Sequence, residues 1–446
     1  MASENFQQNG EYIRDYSWID CVLHISNTAD VNHEKLQRLA ERFAGLTILS
    51  AGKKPEYLKQ SIAWHSYDPE VMGKADAWNK LLVKSNREWV LFLEQGEDIR
   101  FYLIPEQNDL DPKTWVPASI SRKDEKSEKN VYQVRLVHSD AESPFAGRHL
   151  PDSTAYIMEN GIHLYDRPLI LDRTGDGLIS IDPLEEMSVK NVSPKVFLLQ
   201  GERLMDERNY VQASAQYRKV LKTEKLLPFD RLGAVNGLAR CYTEQYKWPK
   251  ALQLTEKSIE AEPAQRVPYL IQFRIHQLNK KWGDAYNVLK EYHQHFDTTT
   301  RSSFDIAIGE TETLTRLGDL AMKAGFKEEA FAYYEEIYSD ARGEVETDVL
   351  RQLLMLSIEL EKRERAIFYF EAMFDGDFPG ELSGRQTAEL NDYMSLFMNN
   401  GWYQYASEIY EELYDAYSDN PEYRRRLIVT FTKTNRIERA RKLIAS

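Results

Sequence analysis

Seven alanines in the second half of the chain, Ala213, Ala251, Ala285, Ala330, Ala366, Ala406 and Ala440, each open the same short pattern. Four residues later comes a larger side chain: Tyr217, Thr255, Leu289, Tyr334, Phe370, Tyr410 and Ile444. Residues four apart share one helix face, so each pattern puts a small residue and a filler side by side. Subtracting the alanine numbers gives steps of 38, 34, 45, 36, 40 and 34 residues. A period of this size means a supersecondary unit that cannot bury its apolar face alone and must stack on its neighbours.

The fullest unit contains Leu314, Leu317, Gly318 and Ala321, then Gly325-Phe326, then Ala330, Phe331 and Tyr334. Small residues at Gly318 and Ala330 let two helices cross closely while the aromatic fills the groove beside them. This pattern, with its modal step of 34, resembles the tetratricopeptide repeat. The resemblance implies an all-α solenoid of about seven irregular units over residues 189–446, binding proteins or peptides. The 45-residue step around Asp297 to Ile308 predicts longer helices or an inserted loop, as does the 40-residue step containing Phe378-Pro379-Gly380. Most aromatics here read as inter-helix core. Tyr333, Tyr403 and Tyr414 fall off the repeat positions and are the candidates for an interaction surface, for peptide or for self-association.

Residues 1–188 read as α/β. Trp18 to Ile25, Leu46 to Leu49 and Ile62 to Trp64 are predicted strands, and Asn32 to Phe43 a helix between the first two. Asp68-Pro69 predicts a helix start, with Val71, Ala75, Trp78 and Leu82 forming its apolar face. Trp89-Val90-Leu91-Phe92-Leu93 is an unbroken apolar run, expected for a strand covered on both faces of a mostly parallel sheet. Glu94, Glu97 and Asp98 follow at its carboxyl end, where ligands bind in open α/β sheets.

The helix carrying Ala77-Trp78-Asn79, followed by the strand and acidic loop WVLFLEQGED, resembles family 2 glycosyltransferases of the GT-A fold. That family has alanine-arginine-asparagine in the helix and leucine-aspartate-x-aspartate-glutamate in the loop. The resemblance implies donor binding by Asn79, Glu94 and Arg135, and a divalent cation, Mn or Mg, held by Glu94, Glu97 and Asp98 through hard oxygen ligands. Departures accompany it. Glu94 replaces the first aspartate, Gly96 falls on the second, Trp78 stands where arginine is usual, and Leu49-Ser50-Ala51-Gly52 brings no carboxylate for the nucleotide. Phe145 to His149 resembles the acceptor-side segment, but Leu150 stands where that family has glutamate. No carboxylate is assignable as base, which leaves His149 as the candidate.

Two readings follow. In one, a divergent and inactive glycosyltransferase-like domain, a pseudoenzyme, joins a repeat array that acts as a protein or glycan interaction platform. In the other, an active transferase takes a nucleotide sugar while the repeats hold the acceptor.

The remaining features set limits. Residues 1–188 hold 21 bases and 31 acids, a net of −10, which leaves −4 for the rest of a chain at −14. Such a surface repels polyphosphate backbones, so nucleic acid is not an expected partner. Cys21 and Cys241 read as buried thiols of a reducing compartment. The polar start and the lack of any run of about 18 apolar residues predict no signal peptide, no transmembrane segment and a cytoplasmic location. Gln107 to Asn130, with its run SRKDEKSEKN, reads as a mobile loop, either a lid or a linker, and Asp109-Leu110-Asp111 as a helix cap. Asp172 to Ser180 follows the first nine positions of a calcium loop but has Pro183 where the closing glutamate belongs, so a tight turn is the alternative.

Overall fold

The computed structural model describes residues 6–8, 11–13, 16–27, 32–55, 62–100, 104–123, 127–173, 192–295, 302–374, 384–413 and 420–445. These form two compact units, Met1–Thr313 and Leu314–Ser446.

In the first unit, β1 (Phe6–Gln8) and β2 (Glu11–Ile13) make a separate hairpin. The main sheet contains β3 (Tyr16–Ile25), β4 (Phe43–Ser50), β5 (Ala63–Ser66), β6 (Trp89–Glu94), β7 (Glu97–Ile99), β8 (Thr114–Lys123), β9 (Ser127–His138) and β11 (Leu169–Arg173). They lie in the order β5-β4-β3-β6-β9-β8-β11-β7. The short β10 (His163–Leu164) pairs with β8, and β12 (Phe304–Ile308) with β9. Strands β5, β4, β3 and β6 run parallel, as the crossovers through α1 (His33–Arg42) and α2 (Lys74–Lys84) require, and β9 runs against β6.

Every residue of β6 is buried. Trp78 of α2 stacks on Phe92, with ring centroids 4.5 Å apart, and Phe145 meets both rings edge-on. Helix α1 is capped by Asn32, whose side chain accepts from the Lys35 amide.

Helix α2 begins later than the Asp68-Pro69 signal predicts. Asp68 instead closes a turn, accepting from the amides of Glu70 and Met72, and Val71 is 82% exposed. Gly73 takes the N-cap position because a side chain there would meet the Arg148 backbone at 2.9 Å. The region read as a mobile loop is mostly the β8–β9 hairpin, antiparallel from Pro117↔Val134 to Lys123↔Glu128. The WVPASIS stretch, Trp115 to Ser121, lies in β8 and is buried throughout. Asp111 caps the turn into β8 rather than a helix, accepting from Lys113 N and Thr114 Oγ1. The short α3 (Thr154–Asn160) ends on Gly161 in the left-handed region.

Among the described residues this unit also holds three antiparallel helix pairs: α4 (Pro194–Asp206) with α5 (Tyr210–Leu221), α6 (Pro228–Glu244) with α7 (Trp248–Ala261), and α8 (Val267–Leu278) with α9 (Trp282–Gln294). Four more described pairs follow, the first helix beginning at the end of the first unit and the rest lying in the second: α10 (Glu310–Ala324) and α11 (Lys327–Asp340), α12 (Thr347–Glu359) and α13 (Arg363–Ala372), α14 (Gly384–Asn399) and α15 (Tyr403–Glu412), and α16 (Pro421–Lys433) and α17 (Ile437–Ala445).

All seven pairs turn in the same way. Arg208, Tyr246, Lys280, Gly325, Glu361, Gly401 and Asn435 have φ between +56° and +85° and stand five residues before the seven alanines. The next amide, from Asn209, Lys247, Lys281, Phe326, Lys362, Trp402 or Arg436, donates back to a carbonyl five residues earlier at 2.7–2.9 Å. This is the long bond of a Schellman turn. The alanines are buried, and Gly201 and Gly318 face Tyr217 and Tyr334 so closely that a Cβ would come within 2.7–2.8 Å of the ring. Both tyrosine hydroxyls donate at 2.6 Å to the acid that follows the glycine, Glu202 and Asp319.

The all-α expectation for residues 189–446 needs one correction. The long step at Asp297 to Ile308 contains β12, which leaves the helical array and pairs antiparallel with β9, Phe304 opposite Val131 and Ile308 opposite Ser127. Its alternating Phe304, Ile306 and Ile308 suit a strand, and the open edge of β9 beyond β6 supplies the partner.

Candidate functional site

The carboxyl end of β6 carries a closed network of charge. His24 of β3 lies opposite Glu94 in the parallel register, so the ends of both strands meet. The Gln95-Gly96 turn, with Gly96 at φ +86°, folds the chain back, and the Glu94 amide donates to Glu97 Oε2 at 2.8 Å. Lys74, at the start of α2, places Nζ 2.9 Å from Glu94 Oε1. Arg135, reaching in from β9, donates through Nη2 to Glu97 Oε1 at 2.7 Å and holds Nη1 3.9 Å from Glu94. Arg173 of β11 approaches Glu97 Oε1 at 3.4 Å.

Lys74, Glu94, Glu97 and Arg135 are all at most 5% exposed. Burial pushes the Glu94 carboxyl up, but Lys74 and Arg135 outweigh it and hold the group well below the usual carboxylate range. Glu97 moves the other way, because burial and the Glu94 charge exceed the pull of Arg135. Burial first, and then the Lys74 charge, lower His24 to about 4, so it is neutral at pH 7 and shares a 3.1 Å hydrogen bond with the Tyr67 hydroxyl.

The residues singled out from sequence are therefore only partly brought together. Glu94 and Glu97 converge, but on three cations, whose summed charge already exceeds theirs. Asp98 stands apart at the surface and pairs with Arg38. Asn79 holds the Phe145 main chain, donating to its carbonyl at 2.8 Å and accepting from its amide at 3.0 Å. Trp78 fills core beneath Arg135, whose guanidinium lies 5.5 Å from its ring. His149 is half-buried in the loop where Arg148 donates to the Pro69 and Glu70 carbonyls.

Asp172, the first position of the calcium-like motif, takes a two-pronged bond from Arg100 at 2.8 and 2.9 Å. Residues 174–180 lie outside those described. Among the described residues, no cluster of three or more His, Cys, Asp or Glu side chains is placed to hold a metal ion. Sequence reasoning missed Lys74, Arg100 and Arg173, whose partners come from distant elements.

In the helical part, Tyr333 and Tyr403 are half-buried, the latter with the Lys433 ammonium 5.7 Å from its ring, and Tyr414 lies outside the described residues. Beside β12, a cavity of about 500 Å³ opens among Met205, Arg208, Arg240, Ile271, Arg274 and Ile306. Arg240 is held by both oxygens of Glu202 at 2.8–2.9 Å and Arg274 by Glu244 at 3.0 Å. Cys21 and Cys241 are free and buried, and burial pushes Cys241 up to about 12. Among the described residues no helix is long and apolar enough to cross a membrane.

Taken together, these features define a chain of tetratricopeptide-type helix pairs joined to a mixed α/β sheet domain. No protein-family model matches it, and no curated protein does. Solved structures similar to it include the MamA protein, at 16% identity and TM-score 0.31, spanning 41% of this chain and 90% of that one. YrrB, described as a TPR protein with an unusual peptide-binding site, is 15% identical at TM-score 0.33 and spans 44% and 92%. The PilF protein of Pseudomonas aeruginosa is 17% identical at TM-score 0.31 and spans 52% and 95%. All three likenesses are of fold alone.

Proposed function

We propose that the protein is an interaction platform in which the helix pairs meet protein or peptide partners and the α/β domain performs no sugar transfer. The observation that carries this reading is the network at the end of β6. Glu94 and Glu97, the carboxylates a donor-binding cation would need, are buried and already compensated by Lys74, Arg135 and Arg173. An incoming dication would meet three fixed positive charges at close range, and displacing them would leave those cations buried without partners. Asn79, the other donor-side residue, is spent on the Phe145 main chain.

Calorimetric titration with uridine and guanosine diphosphate sugars, with and without manganese, tests the reading. The expected result is no saturable heat at millimolar ligand. Manganese-dependent binding that disappears in Glu94→Ala or Glu97→Ala would overturn it in favour of an active transferase.

A further inference from the structure

The strand β12 is held as a ligand is held. Helix pairs one and two are joined by six residues, pairs two and three by five, and pairs four and five by six, whereas pairs three and four are joined by fifteen. That excess is not needed to connect the helices. It carries Ser302 to Ile308 past α6 and the start of α8 and onto the edge of β9.

Much of what fixes it there is side-chain recognition. The Ser303 hydroxyl donates to Asp230 of α6, and the Ser303 amide donates to the Phe229 carbonyl at 2.9 Å. Gly233, one turn on, leaves room for it, since a Cβ there would lie 3.0 Å from the Ser303 Cβ. Arg266 grips the Asp305 carboxylate through Nε and Nη2 at 2.5 Å. At the far end the Tyr292 hydroxyl serves both polar groups of Ile308, accepting from its amide at 2.9 Å and donating to its carbonyl at 3.2 Å.

Asp230, Arg266, Ser303 and Asp305 are all buried, so each pair discriminates strongly against a residue that cannot replace its partner. Lys195 completes the wall, donating to the Tyr132 carbonyl at 2.7 Å and standing 3.7 Å from Asp230. The cavity of about 500 Å³ lies on the other side of Ile306, against Val267 and Ile271 at the start of α8.

We propose that Phe229, Asp230, Gly233, Arg266, Tyr292 and the edge of β9 form a recognition slot for an extended serine-apolar-aspartate-apolar segment. The chain's own Ser302–Ile308 fills it in cis, and a partner carrying the same pattern fills it in exchange. This deepens the platform reading by naming a surface and a ligand class, and it is independent of whether a sugar nucleotide binds.

The test uses the full chain with Ser302–Ile308 replaced by a glycine-serine linker of equal length, and a fluorescent peptide carrying SSFDIAI. Anisotropy should show saturable binding to this variant, at least tenfold weaker when the peptide has the Asp305→Ala change. Binding to the unaltered chain should also be at least tenfold weaker, because the tethered strand competes at high effective concentration. A folded linker variant that ignores the peptide, or binds both peptides alike, overturns the proposal. Should the variant fail to fold, hydrogen exchange on the unaltered chain decides. The Ser303 and Ile308 amides should exchange at least tenfold faster than those of Val22 and Leu91 in the sheet centre. Exchange together with the sheet would make β12 an integral strand and refute the slot.

Discussion

Replacing Lys74 by methionine removes one charge from the end of β6 while keeping most of the side-chain volume. The Lys74–Glu94 contact is 2.9 Å, and the next cation, Arg135 Nη1, is 3.9 Å away. At an effective dielectric of about 20, a pair at the shorter distance is attracted by roughly 6 kcal/mol and one at the longer by roughly 4. Glu94 thus keeps a partner but loses the stronger one, and methionine saves the desolvation of the ammonium. Breaking a buried pair costs about 3–5 kcal/mol, and with Arg135 still in place the lower end, about 3 kcal/mol, is expected. Thermal and urea unfolding of the first unit measure it, with Lys74→Met/Glu94→Gln as the closing corner of a double-mutant cycle. The double variant should recover at least half of the loss.

The pH dependence adds a second handle. Glu94 is held below its ordinary range, so its contribution is present above about pH 4.5 and is lost as pH falls. The deficit of Lys74→Met should therefore be full at pH 7 and shrink in acid. A loss under about 1 kcal/mol, or a double variant no more stable than the single one, would refute the view that Lys74 balances Glu94.

Other outcomes follow from the same structure. His24 is lowered to about 4, so the unfolded chain binds its proton first. Stability should fall as pH drops from about 6.5 to about 4, by about 3 kcal/mol in all, and His24→Gln should flatten that slope in a pH series of unfolding curves. Gly318→Ala would put a Cβ 2.8 Å from the Tyr334 ring. Overpacking costs about 1–3 kcal/mol and the gain in helix propensity returns about 1, so a net loss near 1 kcal/mol is expected in denaturant unfolding, recovered by pairing it with Tyr334→Leu. Lys280 adopts φ +56° in a Schellman turn, so Lys280→Gly should raise stability by about 0.5–1 kcal/mol; no gain in melting temperature would show that its side chain offsets the strain.

The repeats were legible because their signal is local. An alanine and a larger side chain four residues apart report one helix face, and the structure adds a left-handed turn residue five places before each alanine. Only two of the seven turn residues are glycines, Gly325 and Gly401, so residue type alone marks few of the turns. The first strands were legible for the same reason, as runs bounded by polar residues. Strand β12 was not, because five residues of mixed polarity become a strand only against β9, far earlier in the chain. Glu94 and Glu97 could be located from sequence, but their surroundings could not. Lys74 looks like any lysine at the start of a helix, and Arg135 like any arginine on a strand; only the fold aims both at one pair of carboxylates. The helix start at Asp68-Pro69 failed on tertiary grounds, since Gly73 is needed where the chain passes Arg148.

Gly96 makes this loop hard to convert into a metal-binding one. The position is left-handed at φ +86°, and a side chain placed there adds roughly 1–2 kcal/mol of backbone strain. The same turn delivers Glu97 to the Glu94 amide and to Arg135, so relaxing it would also strip buried charges of their partners. An aspartate at 96 is therefore a step downhill in stability until Arg135 and Lys74 have changed as well. Changing those first leaves Glu94 and Glu97 buried and uncompensated. Each route to a metal-binding turn passes through a weaker intermediate, so the present arrangement is held in place by its own stability.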